Sequence, residues 1–317
     1  MIDRDLWTEQ ADFNSMLRVP LSDETATKEF LRDMILNLVS ESDELLRTSS
    51  WKSHRRQDSR PNREHRLEEC IDIFKIWLTI VQGLGFSPSE LEEAFWRKSM
   101  VVRQRHSEEW VKTLADRPLW VVDIDNVLCD YTTGFCEWLA HRAPLFAPKT
   151  REVLARRAWV SRCDDLGMSE AEWQGFKHEF RSNGQKRRLP LMPGAKEFLH
   201  RLQGAGYGIV LLTSRPIDRY PNIYGDTLYW LYHNSLPHDW VWWATDKGER
   251  VIESGITKQI HGVVDDDPRY VTQFARLGLP VWHLQSTSHP ATPMDMYQSV
   301  HAVHSLGDIP VPSLAKE

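Results

Sequence analysis

The spacing of apolar residues changes near Asp116-Arg117-Pro118. Before this point apolar side chains recur at helical spacing, which predicts helices at about 4–18, 23–48, 64–83 and 88–115. After it, short continuous apolar runs predict strands at 119–122, 209–212, 261–264 and 280–284, with helical stretches such as 194–204 and 268–277 between them. Buried apolar strands that alternate with helices are typical of a parallel, doubly wound α/β sheet.

The change of pattern predicts two domains. We expect an all-α helical domain at 1–116 and an α/β domain at 117–317, with a helical insert at about 131–188, and 317 residues are enough for two cores.

Composition narrows the class of protein. Lysine plus arginine number 39 and aspartate plus glutamate 45, and the net charge of −6 argues against a protein that coats nucleic acid. The chain has no apolar run near the ~18 residues of a membrane span, no leader of basic then apolar residues, and four cysteines without a CxxC pair. We expect a cytoplasmic enzyme acting on small molecules, without a membrane or a stable nucleic-acid partner.

Polar residues with shared chemistry follow three of the predicted strands. In chain order they are Asp123 and Asp125, then Thr213, Ser214 and Arg215, then Asp265, Asp266 and Asp267. The carboxyl ends of parallel strands meet at one edge of a sheet, where ligands bind. So many carboxylates in a small volume favour a hard divalent cation such as Mg²⁺. A metal, a carboxylate nucleophile and a second carboxylic acid suit phosphoryl transfer.

The helical half carries a second set of carboxylates. Glu41 and Glu44 lie three residues apart on one predicted helix, and Glu69 and Asp72 have the same spacing on the next. Asp72 lies between two isoleucines, and a buried carboxylate is costly unless it is paired or metal-bound. If the two helices pack antiparallel, the four carboxylates face one another, bind two Mg²⁺ ions, grip a triphosphate and activate water.

Residues 119–285 resemble the haloacid dehalogenase-like phosphatase superfamily. Its first motif is an apolar strand followed by DxDx[TV][LV], which here runs from Asp123 to Leu128. The segment Leu189–Ala195, the Thr-Ser-Arg-Pro turn and the Asp-Asp turn are similar to the 5′(3′)-deoxyribonucleotidase branch.

This resemblance implies a role for each residue of the motifs. Asp123 would be the nucleophile that forms an aspartyl-phosphate, and Asp125 would be the general acid and then the base. Thr213, helped by Ser214, would hold the transferring phosphoryl group, and Arg215 would bind substrate. The metal ligands would be Asp123, the Asp125 carbonyl, Asp265 and Asp266, although Asp267 blurs that assignment.

Other parts of the resemblance leave alternatives. A lysine should neutralise developing charge; Lys247 is favoured over Lys258 because Thr-Asp-Lys is similar to the nucleotidase pattern. Asn126 stands where a glycine is common. The insert falls where a helical cap covers the site, and three of its aromatic residues could stack on a base, namely Phe135, Trp138 and Trp159.

Residues 1–115 resemble the all-α nucleoside triphosphate pyrophosphohydrolases, which include MazG-type enzymes and the dimeric dUTPases. The resemblance includes the segment Leu6–Asn14, the pair Trp51-Lys52 and the stretch from Lys98 to Arg105. It implies that Mg²⁺ is bound by Glu41, Glu44, Glu69 and Asp72, that the base is contacted by Gln10, Asn14 and Trp51, and that phosphates are contacted by Lys52, Lys98 and Arg105. Because one short helical segment cannot readily enclose a nucleotide, we expect a homodimer, or a higher homo-oligomer, that shares the site through the N-terminal helices. The final Gly-Tyr of the dUTPase pattern is absent, which leaves dCTP or several dNTPs as alternatives to dUTP.

Together the two halves predict a bifunctional Mg²⁺-dependent hydrolase. The first domain would cut a dNTP to a monophosphate and pyrophosphate, and the second would remove the remaining phosphate. Two alternatives are a polynucleotide 3′-phosphatase and a nucleotide sensor without turnover.

Overall fold

The computed structural model describes residues 4–16, 24–49, 63–113, 117–286 and 297–314. The chain divides into two compact units, Met1–Phe95 and Trp96–Glu317. Within the described residues all four cysteines are free thiols, as their spacing predicted.

The described part of the first unit is helical. It contains α1 (Arg4–Met16), α2 (Glu24–Arg47), α3 (Arg63–Gly83) and the start of α4 (Pro88–Thr113), so the four predicted helices are confirmed. Helices α1 and α2 both pack on α3. Ser87 begins α4 with reciprocal hydrogen bonds, because its hydroxyl accepts from the Glu90 amide while the Glu90 carboxylate accepts from the Ser87 amide and hydroxyl.

Among the described residues, no single helix has the length and apolarity of a membrane span. Two consecutive helices, Arg63–Gly83 and Pro88–Val102, have that length and apolarity only when they are counted as one segment. The chain bends by 111° between them.

The second unit contains a six-stranded parallel sheet in the order β3-β2-β1-β4-β5-β6. The strands are β1 (Leu119–Val122), β2 (Gly208–Thr213), β3 (Trp240–Trp243), β4 (Ile260–Asp265), β5 (Val281–Leu284) and β6 (Val300–Val303). The parallel α/β architecture and its four predicted strands are confirmed. The sequence analysis missed β3 and β6: β3 is tryptophan-rich, and β6 exposes its two middle residues.

Helices cover both faces of this sheet and bury it. Alternate residues of β1 enter different cores, Trp120 and Val122 on one face and Leu119 and Val121 on the other. Six helices follow the insert's first helix α5 (Tyr131–Arg142): α6 (Ala147–Ala155), α7 (Glu170–Ser182), α8 (Ala195–Gly204), α9 (Asn222–His233), α10 (Lys247–Ser254) and α11 (Pro268–Arg276).

The connection between β1 and β2 carries the insert. From Tyr131 to Arg188 it consists of α5, α6, α7 and three short 3₁₀ helices, the last at Gln185–Arg188. The chain first builds outward from β1 through β2 to β3 and then crosses to β4 on the other side of β1. This reversal opens a crevice at the carboxyl ends of β1 and β4, the usual position of a ligand site in such sheets.

Candidate active site

A tight turn after β1 presents the first two aspartates. The Asp123 amide donates to the Val264 carbonyl of β4 (2.9 Å), and the amides of Leu128 and Cys129 both donate to the Ile124 carbonyl. Asn126 has a φ of 59°, a left-handed conformation that asparagine tolerates better than most residues. This explains how asparagine can occupy a position where glycine is common in the resembled family.

Lys247 bridges the ends of β1 and β4. Its Nζ lies 2.8 Å from Asp123 Oδ1 and 2.7 Å from Asp265 Oδ2, and its side chain is fully buried at the first turn of α10. Lys258, the alternative lysine, is exposed in the turn that precedes β4, at the opposite edge of the sheet. Of the two predicted lysines, the structure therefore brings only Lys247 to the carboxylates.

Two of the three consecutive aspartates join Asp123. Oxygen atoms of Asp123, Asp265 and Asp266 lie within 4.8 Å of one another, and all three residues are buried. Asn126 Nδ2 donates to Asp266 Oδ2 at 3.3 Å. Asp267 instead caps α11 and pairs with the exposed Arg269, so it lies outside the cluster.

The cluster is suited to a divalent cation. Burial raises the pKa of Asp266 well above its usual range, and repulsion from Asp123 and Asp265 adds to the effect. Burial also raises the pKa of Asp265 to about 7 and that of Asp123, although Lys247 opposes both shifts. Burial lowers the pKa of Lys247, but Asp123 and Asp265 outweigh it and the net shift is upward. When all three carboxylates are ionised, they and the one ammonium carry two net negative charges, which a metal ion such as Mg²⁺ would balance.

Asp125 lies beside this cluster in a different electrostatic environment. Arg215 contacts it through Nη2 (2.7 Å) and Nε (3.1 and 3.2 Å), and Lys186 Nζ approaches Oδ2 at 2.7 Å. Burial would raise the pKa of Asp125, but the two cations outweigh it and hold the pKa far below its usual range. The Cys129 thiol also donates to Asp125 (3.2 Å). The two motif aspartates thus have opposite pKa shifts, raised for Asp123 and lowered for Asp125, so in the metal-free protein the two cations favour the ionised form of Asp125.

The end of β2 supplies the hydroxyl pair. Thr213 is buried and its Oγ1 accepts from the Arg215 amide (3.3 Å), whereas Ser214 is exposed. A cavity of about 460 Å³ adjoins the site at Ser214 and Arg215 and runs along the edge strand β3, past Tyr224 and Trp243. The clustered carboxylates do not line it.

Lys186 was missed by the sequence analysis. It belongs to the run Lys186-Arg187-Arg188 at the end of the insert, and such a run is usually a solvated surface. Its side chain is instead buried over the Tyr131 ring (4.1 Å), and burial lowers the pKa of Lys186 to about 8 despite Asp125. The sequence did contain one indication: the run Lys186-Arg187-Arg188 comes directly before Leu189–Ala195, a segment that carries the resemblance to the nucleotidases.

The insert's aromatic residues are not available for base stacking in the way the sequence suggested. Phe135 is fully buried against Trp138, Trp173 and Phe180, and Trp159 is also buried. The expectation was wrong for Phe135 and Trp159, because these rings form the insert's own core. Trp138 is half-buried in the same cluster.

The first unit also brings carboxylates together. Oxygen atoms of Glu41, Glu69 and Asp72 lie within 4.8 Å of one another, which places the end of α2 against α3. Desolvation raises the pKa of Glu41, and repulsion from Glu44, Asp72 and Glu69 adds to it. Glu44 is exposed and is not in the closest group. Asp72, expected to be buried, is exposed; Glu69 is the buried member, since it faces α2.

The predicted base-contacting residues of α1 meet α3 instead of open space. Gln10 is buried, and its amide donates to Asn14 Oδ1 and Thr79 Oγ1, both at 3.0 Å. Asn14 Nδ2 donates to Gln82 Oε1 at 2.7 Å. Thr79 follows Asp72 by seven residues, which is about 10 Å along a helix.

Four predicted phosphate- or base-contacting residues remain. Trp51 and Lys52 lie outside the described residues, as does the side chain of Arg105. Lys98 is exposed on α4, in the part that belongs to the second unit.

Searches against protein-family models and against curated proteins found no match. Several solved structures match this chain with low sequence identity and low TM-scores. A haloacid dehalogenase-like family hydrolase from Streptococcus pneumoniae is 12% identical over 61% of this chain and 96% of that chain, with a TM-score of 0.40. An HAD family hydrolase from Deinococcus radiodurans, with bound phosphate and sodium, is 16% identical over 56% and 85% (TM-score 0.38). A predicted phosphatase from Clostridium acetobutylicum is 13% identical over 61% and 95% (TM-score 0.41). Values of this size do not establish an activity, so the case for function depends on the geometry of the site.

Proposed function

We propose that the α/β unit is a haloacid dehalogenase-like, Mg²⁺-dependent phosphatase that acts on a deoxynucleoside monophosphate through an aspartyl-phosphate. The observation that carries this proposal is the bridging of Asp123 and Asp265 by the buried Lys247, with Asp266 beside them and Asp125 held separately. Asp123, Asp265 and Asp266 would hold the metal together with the Asp125 carbonyl. When bound, the metal would offset the negative charge that develops on the phosphoryl oxygens.

The residues of the site then carry out the reaction in two steps. The Asp123 carboxylate attacks phosphorus, and the bond from phosphorus to the leaving alcohol oxygen breaks as Asp125 gives that oxygen a proton, which Asp125 must first bind although Arg215 and Lys186 favour its ionised form. Asp125, now ionised, takes a proton from water while the water oxygen attacks phosphorus and the bond to Asp123 breaks. Lys247 and the Thr213 hydroxyl stabilise the phosphoryl oxygens during both steps.

Product analysis tests this proposal. With Mg²⁺, wild-type protein should release phosphate from a deoxynucleoside 5′-monophosphate, and Asp123→Asn should lose this activity. Asp267→Asn is the matched control, because Asp267 lies outside the cluster and asparagine also caps helices well. Phosphate release by Asp123→Asn at the wild-type rate would refute the assignment. Release from a 3′-phosphorylated oligonucleotide but not from mononucleotides would favour the polynucleotide alternative.

We also propose that the helical unit hydrolyses a dNTP, with dUTP or dCTP favoured, to the monophosphate and pyrophosphate. The close approach of Glu41, Glu69 and Asp72 supports it, because three carboxylates on two packed helices can hold Mg²⁺ against a triphosphate. Glu41→Gln should abolish pyrophosphate release, whereas the exposed Glu29 on the same helix offers Glu29→Gln as a control. Tight dNTP binding by wild-type protein without any product would instead indicate a sensor.

A homodimer through the N-terminal helices is part of this proposal. Leu36 and Val39 on α2 are each 61% exposed, and Leu67 and Ile71 on α3 are also exposed at helical spacing. A second copy of the chain would cover these side chains and contribute to an open carboxylate site. Light scattering should give twice the chain mass, and Val39→Glu should yield monomers; a wild-type monomer would refute it.

A further inference from the structure

The carboxylate of Asp125 is held from two sides by cations on different parts of the chain. Arg215 comes from the turn after β2, and Lys186 comes from the last 3₁₀ turn of the insert, Gln185–Arg188. Both cationic side chains are buried. The orientation of Asp125 therefore depends on how accurately the end of the insert is placed over the sheet.

Helix α9 binds Arg215 directly and holds Lys186 through the neighbouring residue Arg187. Arg215 Nη1 donates to Thr227 Oγ1 at 2.8 Å. Arg187, the neighbour of Lys186, donates from Nε (2.7 Å) and Nη2 (2.6 Å) to Asp226 Oδ1. Asp226 and Thr227 are adjacent residues on α9, and both are fully buried.

Three further hydrogen bonds from α9 side chains extend the anchor on the insert side. Asn222 Nδ2 donates to the Arg181 carbonyl at the end of α7 (2.7 Å) and to Asp226 Oδ2 (3.2 Å). Trp230 Nε1 donates to the Leu189 carbonyl just after the 3₁₀ turn (2.6 Å). A buried carboxylate such as Asp226 is costly when it loses its partner, so the Arg187 contact fixes this turn on α9.

We propose that Arg187 and Asp226 are positioning residues: they fix the turn Gln185–Arg188 on α9, so that Lys186 and Arg215 together aim Asp125 at the reacting oxygens. This inference rests on the proposed phosphatase function. Neither Arg187 nor Asp226 contacts Asp125, and they act only through the placement of Lys186.

The kinetics of two phosphate esters, p-nitrophenyl phosphate and a nucleoside monophosphate, distinguish a misplaced Asp125 from general damage to the site. Departure of p-nitrophenolate needs no proton, so only the second step, the attack of water on the aspartyl-phosphate, then depends on Asp125. A nucleoside monophosphate needs Asp125 in both steps, since its leaving alkoxide must be protonated. A misplaced Asp125 therefore leaves the first step with p-nitrophenyl phosphate intact and slows the second.

The experiment compares substitutions at three consecutive residues: Lys186→Met, Arg187→Met and, as the control, Arg188→Met, whose residue is exposed. With p-nitrophenyl phosphate, Lys186→Met and Arg187→Met should show a burst of about one p-nitrophenolate per site, followed by turnover at least tenfold slower than wild type. With a nucleoside monophosphate they should be slowed at least tenfold without a burst. Arg188→Met should match wild type, and Asp226→Asn, which keeps the side-chain shape, should repeat the Arg187→Met result.

Two results would overturn the inference. One is turnover of both esters by Arg187→Met at the Arg188→Met rate. The other is an equal loss on both esters with no burst, which indicates that the whole site is damaged. Loss of activity in Asp123→Asn together with normal kinetics in Arg187→Met would overturn this inference alone, whereas full activity in Asp123→Asn would overturn the phosphatase proposal itself.

Discussion

The substitution Asp265→Asn should change how the stability of the metal-free protein depends on pH. Asp265 is buried, and its pKa is about 7 in the folded state against 3.8 for the ordinary side chain. A carboxyl whose pKa is raised on folding binds its proton more tightly in the folded state. Its ionisation therefore opposes folding as the pH rises from about 4 through 7.

The size of the effect follows from the two pKa values. Between pH 5 and pH 8, the ionisation of Asp265 should reduce the free energy of unfolding by roughly 3 kcal/mol. Asparagine resembles the protonated side chain and does not ionise, so Asp265→Asn lacks this loss. The free energy of unfolding of the variant should therefore rise by roughly 3 kcal/mol relative to wild type across that range.

Urea unfolding in EDTA, at several pH values from 5 to 8, measures this difference. Asp218→Asn is the control, since Asp218 is exposed, and its profile should run parallel to that of wild type. Saturating Mg²⁺ should flatten the wild-type profile, because a cation at the ionised cluster offsets the repulsion, and should affect Asp265→Asn less. Parallel profiles for wild type and Asp265→Asn in EDTA would refute the electrostatic description of the cluster.

Three further outcomes follow from single contacts. Gly262→Ala places a Cβ 2.6 Å from the Trp120 ring, so thermal unfolding should show a loss of about 1–3 kcal/mol; an unchanged midpoint would contradict the packing of β1 on β4. Asn126→Val should destabilise the protein more than Asn126→Gly, because only glycine accepts the φ of 59° without strain; chemical denaturation of the pair would show the reverse order if the turn were different. Thr213→Val should lower kcat for phosphate release by about 10²-fold, as expected for a lost oxyanion donor, with the same unfolding midpoint; an unchanged kcat would remove Thr213 from the proposed site.

The sequence by itself determined the helices of the first unit, the four apolar strands, and the strand-end positions of Asp123, Thr213 and Asp265. These follow from local rules, since apolar periodicity specifies the element and the end of a buried strand specifies where polar residues can lie. The sequence analysis did not identify the strands β3 and β6. The edge strand β6 exposes its two middle residues, so its apolar pattern is weak, whereas β3 is a continuous apolar run, Trp240–Trp243, that the same rule covers and the sequence analysis passed over.

Only the tertiary structure decided which of several chemically equal side chains reach the site. Lys247 and Lys258 are equivalent as residue types, but one begins a helix at the carboxyl edge of the sheet and the other precedes β4 at the opposite edge. Likewise, three consecutive aspartates divide into two that face Asp123 and one that caps α11.

The placement of Lys186 against Asp125 required the fold for the same reason. The two residues are 61 positions apart, and their contact depends on how the insert packs on α9. Local sequence determines which groups are available, whereas distances between elements are set by the packing of all of them together.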